Sequence, residues 1–467
     1  MRWIVRLHGS LWNEPCKSLN AVFPEATSAN WKQCERYVLH VQACQPFVAQ
    51  AGVSLLETTR VLGEAGYYLQ LRGQYLAAEP WFLHAEAFKN QEPEPLERLR
   101  ALNRLARLYG LQSKNVQAEV LFQQTLKACE HQLGPMHLET AVSLSGLAFV
   151  HLIQGKYQQA EPLLHRTVAI RKQELGMTHR LTLESLGDLA LLWGRAGRYE
   201  QAEHLFEHVL SGWGQGMGTD HPDLAVMLNN MAIVYKRQAK YEQAEQWYQR
   251  ALLIWEKQEG PEHPSTVHGL YNLAALSRDW EKYEQAERLF QRVLALCEKQ
   301  SERDYPEMAP AFHGIALHGL GLLSVKQGRY EQAEGLLLRA LHLLEPSAED
   351  EPLKLADVCH SLGMLCKEQG RYEQAERWLQ RALATRERHL GADHPETATN
   401  RESLGFLFLK QEKYEQAEGF FQSALPVFER CYGRAHPLTS KMARASVTVL
   451  RALGKPTEAA HLEGKRA

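Results

Sequence analysis

The sequence predicts an all-α chain, a solenoid of about ten antiparallel helix hairpins, and three observations carry that prediction. A five-residue phrase, Tyr-Glu-Gln-Ala-Glu, recurs at Tyr199, Tyr241, Tyr283, Tyr330, Tyr372 and Tyr414, with the near copy Tyr-Gln-Gln-Ala-Glu at Tyr157. Weaker versions at Tyr75, Asn115 and Pro456 extend the series, and the successive steps are 40, 42, 42, 42, 42, 47, 42, 42 and 42 residues. Between the phrases apolar residues fall at helical spacing, as in Ala286, Leu289, Phe290, Val293 and Leu296.

The elements follow in order. Residues 1–50 do not fit the period and form a partly helical non-repeat segment, in which Trp31, Cys34, Tyr37, Val38 and Val41 mark a helix after Ala21-Val22-Phe23-Pro24. Residues 51–467 form the solenoid, and each unit is two amphipathic helices joined by a turn such as Gln-Gly-Arg before Tyr330 and Tyr372. Second helices begin at the anchor residue of the phrase. First helices start after Asp220-His221-Pro222, Glu262-His263-Pro264 and Asp393-His394-Pro395, where a cap-type region precedes a proline suited to the first turn. The 47-residue step implies a longer loop near 299–310, where Ser301, Arg303, Asp304, Pro306 and Pro310 cluster, and predicts a kink or hinge there. Pro346 to Pro352, with Glu349, Asp350 and Glu351, reads as a second solvated connection. At the end Pro456 and Ala460 replace the usual Tyr and Glu, so Gly454 to Ala467 is expected to be a degenerate capping helix.

Two positions explain the packing. The residue three after the anchor is Ala in all ten units, and nine before the anchor stands Ala148, Ala190, Ala232, Ala274, Gly321, Gly363 or Gly405. Side chains that small let helix backbones approach, and a larger neighbour (Leu147, Met231, Leu404) fills the adjacent gap. One hairpin cannot bury two apolar faces alone, so neighbours must stack.

Composition excludes several classes. Against 53 Lys plus Arg stand 55 Asp plus Glu, a net charge of -2, so no global field recruits nucleic acid or an anionic membrane. No run approaches the roughly 18 apolar residues of a membrane span, the stretch Trp3 to Leu7 is too short for a signal-peptide core, and the expected compartment is the cytoplasm. The eight cysteines form no Cys-x-x-Cys pair and read as reduced, mostly buried thiols.

At these residues the chain resembles the tetratricopeptide family in its 42-residue variety. The run Leu228-Asn229-Asn230-Met231-Ala232, Lys240-Tyr241 to Glu245, Gln249-Arg250-Ala251-Leu252, and Gly260 with His263-Pro264 is similar to the kinesin light chain type of repeat. The resemblance spans roughly residues 51 to 463 and implies a right-handed superhelix whose first helices line the concave surface. Separately, Trp31 to His40 resembles the segment that joins the nucleotide-binding and winged-helix portion to the repeats in bacterial STAND-type signalling ATPases. No Gly-x-x-x-x-Gly-Lys-Ser/Thr phosphate loop is present, so this resemblance implies a stand-alone or truncated sensor portion without the ATPase.

A search for chemistry gives no catalytic, cofactor or metal site. His137, His179, His221, His263, His394 and His436 all stand 20 residues before an anchor. Packed helices lie about 8–10 Å apart while zinc ligands sit about 2 Å from the ion, so these histidines are read as turn residues of the helix starts. Gly212, Gly214, Gly216 and Gly218 follow a helix and lack the dinucleotide-binding spacing, and are read as a loosened helix end. Cys359 and Cys366 are read as small buried thiols. Trp81, Trp247 and Trp378 replace Leu three residues after the anchor Ala and are core fillers, and the nine Glu that follow the anchor Ala form a solvated charge row with nearby Lys and Arg. An enzyme is not expected.

The predicted binding stripe follows from helical arithmetic, taking residues about four, eight, eleven or twelve, and fifteen before the anchor. It holds Asn229, Asn230, Ile233 and Arg237 in one unit, His268, Tyr271, Asn272 and Asp279 in the next, then His318 and Lys326, then His360 and Glu368. Lys236, Arg278 and Lys367 lie one residue away. Asn229, Asn230 and Asn272 match the position at which kinesin light chains and related repeats grip a peptide backbone, and an amide that both donates and accepts suits that task. Arg237, Lys236 and Arg278 add pairing to a carboxylate. The pairs Ser145-Gly146, Gly187-Asp188 and Glu402-Ser403 depart from the pattern, which predicts a groove competent in its middle. The expected function is a scaffold for protein or peptide partners, the alternative a STAND-type sensor arm.

Overall fold

A small residue facing a small residue is what brings two helices of a hairpin together here. The computed structural model describes residues 23–24, 33–41, 56–72, 74–87, 95–112, 114–216, 220–300, 309–345, 352–434 and 437–464, all helices and their connections with no strand among them. A short helix, α1 (33–41), precedes the pairs α2 (Leu56–Leu71) and α3 (Tyr75–Ala87), α4 (Pro95–Leu111) and α5 (Asn115–Gln132), and α6 (Leu138–Ile153) and α7 (Tyr157–Leu175). Then come α8 (Arg180–Arg195) and α9 (Tyr199–Gly216), α10 (Pro222–Arg237) and α11 (Tyr241–Gln258), and α12 (Pro264–Asp279) and α13 (Tyr283–Gln300). The last pairs are α14 (Ala309–Lys326) and α15 (Tyr330–Leu344), α16 (Pro352–Glu368) and α17 (Tyr372–Leu390), α18 (Pro395–Lys410) and α19 (Tyr414–Tyr432), and α20 (Pro437–Ala452) and α21 (Pro456–Gly464). Each anchor starts a second helix, as its phrase predicts.

The chain divides into two compact units: Met1–Val150 with Pro162–Ser185 and Gln300–Ala309, and His151–Glu161 with Leu186–Lys299 and Pro310–Ala467. In the first, Cys34, Val38 and Val41 of α1 pack with Phe23 against Val61, Ala65 and Tyr68 of α2 and Trp81 and Phe82 of α3. Ala106, Ala118, Phe122, Leu147 and Val150 carry the core on through α4, α5 and α6. In the second, clusters around Phe290, Leu337 and Phe421 continue from hairpin to hairpin.

The anchor alanines are at most 1% exposed, so any larger side chain would push the paired helices apart. Opposite them, a Cβ on Gly363 would lie 2.7 Å from Leu379 Cγ and 3.2 Å from the Ala375 oxygen, and one on Gly405 would lie 2.6 Å from Phe421. Trp81 is buried, Trp247 and Trp378 half-buried, and Cys359 and Cys366 are buried thiols that desolvation pushes above the ordinary value.

The histidines before the anchors have a specific task. In His137, His179, His221, His263 and His394, Nδ1 accepts a hydrogen bond from the backbone N–H two residues on, at 3.0 to 3.3 Å, which satisfies one orphan donor of the helix start. His436 lies outside the described residues. Much of the Glu row resolves into a ladder in which the carboxylate meets the Lys or Arg just before the next anchor: Glu203 to Lys240 at 2.7 Å, Glu245 to Lys282 at 2.9 Å, Glu334 to Arg371 at 2.8 Å and Glu418 to Lys455 at 2.7 Å.

The reading of the glycine cluster needs correction. Helix α9 runs through Gly212 and Gly214, held by Trp213 between them, which is fully buried with its ring tilted against His221, ring centroids 5.5 Å apart. Gly218, Ser301 to Pro306 of the expected hinge, Glu349 to Glu351, and Trp31 lie outside the described residues.

Candidate functional site

The predicted stripe falls on the first helices α10, α12, α14 and α16, all in the second unit. Its centre is a polar ladder. Asn272 Nδ2 donates to Asn229 Oδ1 at 2.9 Å, His318 Nε2 meets Ser361 Oγ at 2.8 Å, and His360 Nε2 meets Ser403 Oγ at 2.9 Å. Every rung joins residues 43 apart, one repeat plus one residue, because neighbouring first helices are offset by that much where they touch.

Rung chemistry follows from what the serines already do. Ser361 Oγ donates to the Asp357 oxygen at 2.9 Å and Ser403 Oγ to the Thr399 oxygen at 3.1 Å, so each accepts from the histidine and the imidazoles carry their proton on Nε2. Burial pushes His318 down to about 4, and burial with Arg386 pushes His360 down to about 3. Both rings are therefore neutral at pH 7 and bring hydrogen bonds to this row, not charge.

The cations sit elsewhere. Lys236 Nζ lies 2.8 Å from Asp279, whose other carboxylate oxygen Arg278 reaches at 2.8 Å. Burial disfavours the charged form of Lys236, which Asp279 partly offsets, while Asp279 is raised by burial but lowered more by Arg278 and Lys236 and ends below its ordinary range. An incoming carboxylate must therefore compete with Asp279 for both cations. Arg237 is exposed, its guanidinium 3.4 Å from the Arg195 oxygen, and Lys326 is exposed at the end of α14.

Of the predicted residues, the structure brings Asn229, Asn272 and His268 together, with His268 Nδ1 3.4 Å from Asn272 Nδ2. Lys236 and Arg278 converge on Asp279, and His318 and His360 form successive rungs. Asn230 and Ile233 are half-buried beside Asn229, and Tyr271 rests edge-on against Phe290 at 5.9 Å. Lys326 joins none of these groups.

Sequence reasoning missed Ser361, Asp357 and Arg386. Arg386 is buried and holds Asp357 at 2.5 Å and Asn400 at 3.1 Å, which fixes α17 against α16 and α18. The 43-residue offset is the signal that finds the serines. Beyond the predicted middle, a cavity of about 480 Å³ opens between α16, α18 and α20, lined by His360, Met364, Lys367, Ser403, Phe406 and Lys441 among others. Among the described residues no group of three or more His, Cys, Asp or Glu is placed to hold a metal, and no helix is long and apolar enough to cross a membrane.

Residues 139–215, 218–299, 312–388, 354–430 and 396–465 match the tetratricopeptide repeat family. No curated protein matches the chain. The apo form of the quorum sensor NprR from B. thuringiensis is similar at 16% identity and a TM-score of 0.51, over 76% of this chain and 97% of that one. BtubC (BKLC) from P. vanneervenii is 23% identical with a TM-score of 0.38, over 52% of this chain and 91% of that one. A Podosopora anserina protein with nearly identical TPR-like repeats of kinesin light chain type is 25% identical with a TM-score of 0.36, over 45% of this chain and 100% of that one. With two thirds of its length inside matched repeats and an all-helical hairpin architecture, the chain belongs to the tetratricopeptide repeat family.

Proposed function

We propose that the chain is a non-catalytic scaffold that binds a peptide or protein segment along the faces of α10, α12, α14 and α16. The observation that carries this reading is unspent hydrogen-bonding capacity on an ordered polar row. The Asn230 side chain makes no hydrogen bond among the described residues, the ladder imidazoles retain Nδ1 as an acceptor, and Arg237 and Lys326 present cations to solvent. An extended peptide offers alternating N–H and C=O groups that such a row can pair.

The test is an affinity capture from native cytoplasm with wild type and with Asn229→Ala, Asn230→Ala and Asn272→Ala combined. Asn229 and Asn272 support each other, so Asn230→Ala alone is the cleaner variant and should also weaken capture. Equal recovery of the partner by wild type and every variant, each folded by circular dichroism, rejects the groove.

A second reading, the sensor arm of a STAND-type ATPase, is favoured by the Trp31 to His40 resemblance. Co-purification of a P-loop ATPase encoded beside this chain tests it.

A further inference from the structure

His394 differs from the other capping histidines. Its Nδ1 accepts from the Glu396 N–H at 3.1 Å as theirs do, but its Nε2 also lies 2.7 Å from the backbone oxygen of Ile153, 241 residues away. Ile153 ends α6 within His151–Glu161, a segment of the same compact unit as α18. Two residues on, Gly155 turns at φ +69°, and a Cβ there would lie 2.6 Å from Pro395 Cδ and 3.1 Å from His394 Cδ2. Gly197, Gly328 and Gly370 hold the same turn position with nothing within 4 Å of a Cβ. At Gly155 the missing side chain serves the close approach as well as the turn.

From that turn, contacts run unbroken round the unit and back. Glu161 accepts from Trp193 Nε1 at 2.8 Å, and Arg237 reaches the Arg195 oxygen at 3.4 Å. The Asn229 to Asn272 rung leads to α12, a Cβ on Gly319 would lie 2.3 Å from the Phe290 ring, and the His318 and His360 rungs lead to α18, where His394 returns to Ile153. Groups far apart in sequence share one field: Glu396 is acted on by Arg195 and Arg237, and Tyr157 by Arg237 and Glu396. His268 and Glu396 are exposed, yet desolvation is the largest cause that lowers His268 to about 4 and raises Glu396, as expected on the inner face of a closed array.

We propose that the turn at Gly155 and the start of α18 form a clasp that closes this unit into a ring, so that its inner face admits an extended peptide by its end and refuses a folded domain. The choice of ligand rests on the peptide-binding reading above; the clasp does not. The His394 bond and the Pro395 contact are part of what holds it, and its opening, a local event short of unfolding, supplies the route by which larger groups enter.

The experiment uses the full chain carrying His268→Cys, a position inside the ring, reacted with N-ethylmaleimide and with maleimide-ubiquitin. Rates are taken against the same protein without the introduced cysteine. If the open form is a minor state of roughly 0.1–10%, the folded reagent is slowed about ten-fold or more while the small one is not. Asparagine tolerates positive φ, so Gly155→Asn keeps the turn while its Cβ obstructs Pro395, and His394→Asn keeps the helix cap while losing the bond to Ile153. Both should restore the folded reagent's rate, and the matched control Gly197→Asn should not. Equal access of maleimide-ubiquitin to wild type and all variants overturns the clasp. Should the clasp hold while Asn230→Ala leaves partner capture unchanged, only the peptide reading falls.

Discussion

Leu379→Ala and Gly363→Ala, made singly and together, test whether the small-residue positions set the helix spacing. Leu379 is fully buried on α17, and its Cγ and Cδ2 occupy the space over Gly363 of α16, at 2.7 and 2.9 Å from where a Cβ would stand. Leu379→Ala removes those atoms opposite a residue with no side chain to fill the void, so the site collapses poorly and the cost falls in the upper half of the usual range, about 3–5 kcal/mol. Gly363→Ala alone sets about 1 kcal/mol of helix propensity against about 1–3 kcal/mol of overpacking, a net loss of about 0–2 kcal/mol. Combined with Leu379→Ala the obstructing atoms are gone, the nearest remaining neighbour is the Ala375 oxygen at 3.2 Å, and Gly363→Ala becomes stabilising. The expected coupling is about 1–3 kcal/mol, with a change of sign. Repeat arrays seldom unfold in one step, so the quantity to measure is amide exchange protection across α16 and α17 in the four proteins. An effect of Gly363→Ala that agrees in both backgrounds within about 0.5 kcal/mol would refute the packing argument.

Two further outcomes follow from local geometry. Burial, with Arg386 and Arg195 as the facing charges, pushes His394 from the ordinary 6.5 to about 4. The unfolded chain thus takes up the proton first, and the stabilisation is complete above pH 6.5 and lost as pH falls from 6.5 towards 4. Its size at full effect is about 3 kcal/mol. Acid titration followed by exchange at the α18 start should show this loss, and His394→Asn, which keeps a cap without a proton to gain, should flatten it; an unchanged titration counts against the burial argument. Ala239 holds φ +58° at a turn position where Gly155, Gly197, Gly328 and Gly370 supply glycine. Ala239→Gly relieves about 1 kcal/mol of left-handed strain against a smaller unfolded-state entropy, so a net gain of about 0.5 kcal/mol is expected in local exchange, and a loss would contradict the strain.

The sequence by itself determined the repeat, and through it the hairpins, their starts and the packing positions. A phrase repeated at 42 residues imposes the same local solution each time, so the anchor Ala and the small residue nine positions earlier are legible without coordinates. The stripe was legible as a face, because helical spacing alone places Asn229, His268, His318 and His360 on first helices. Which stripe residues bond one another was not, since the rungs depend on a one-residue offset between neighbouring helices that no single helix encodes. Only the tertiary structure decided that Asp279 already engages Lys236 and Arg278, that the ladder histidines are desolvated and neutral, and that Gly155 meets Pro395. The first two rest on how neighbouring hairpins pack, and the last on many such interfaces together, since Gly155 and Pro395 meet in space although the nearby Ile153 and His394 stand 241 residues apart.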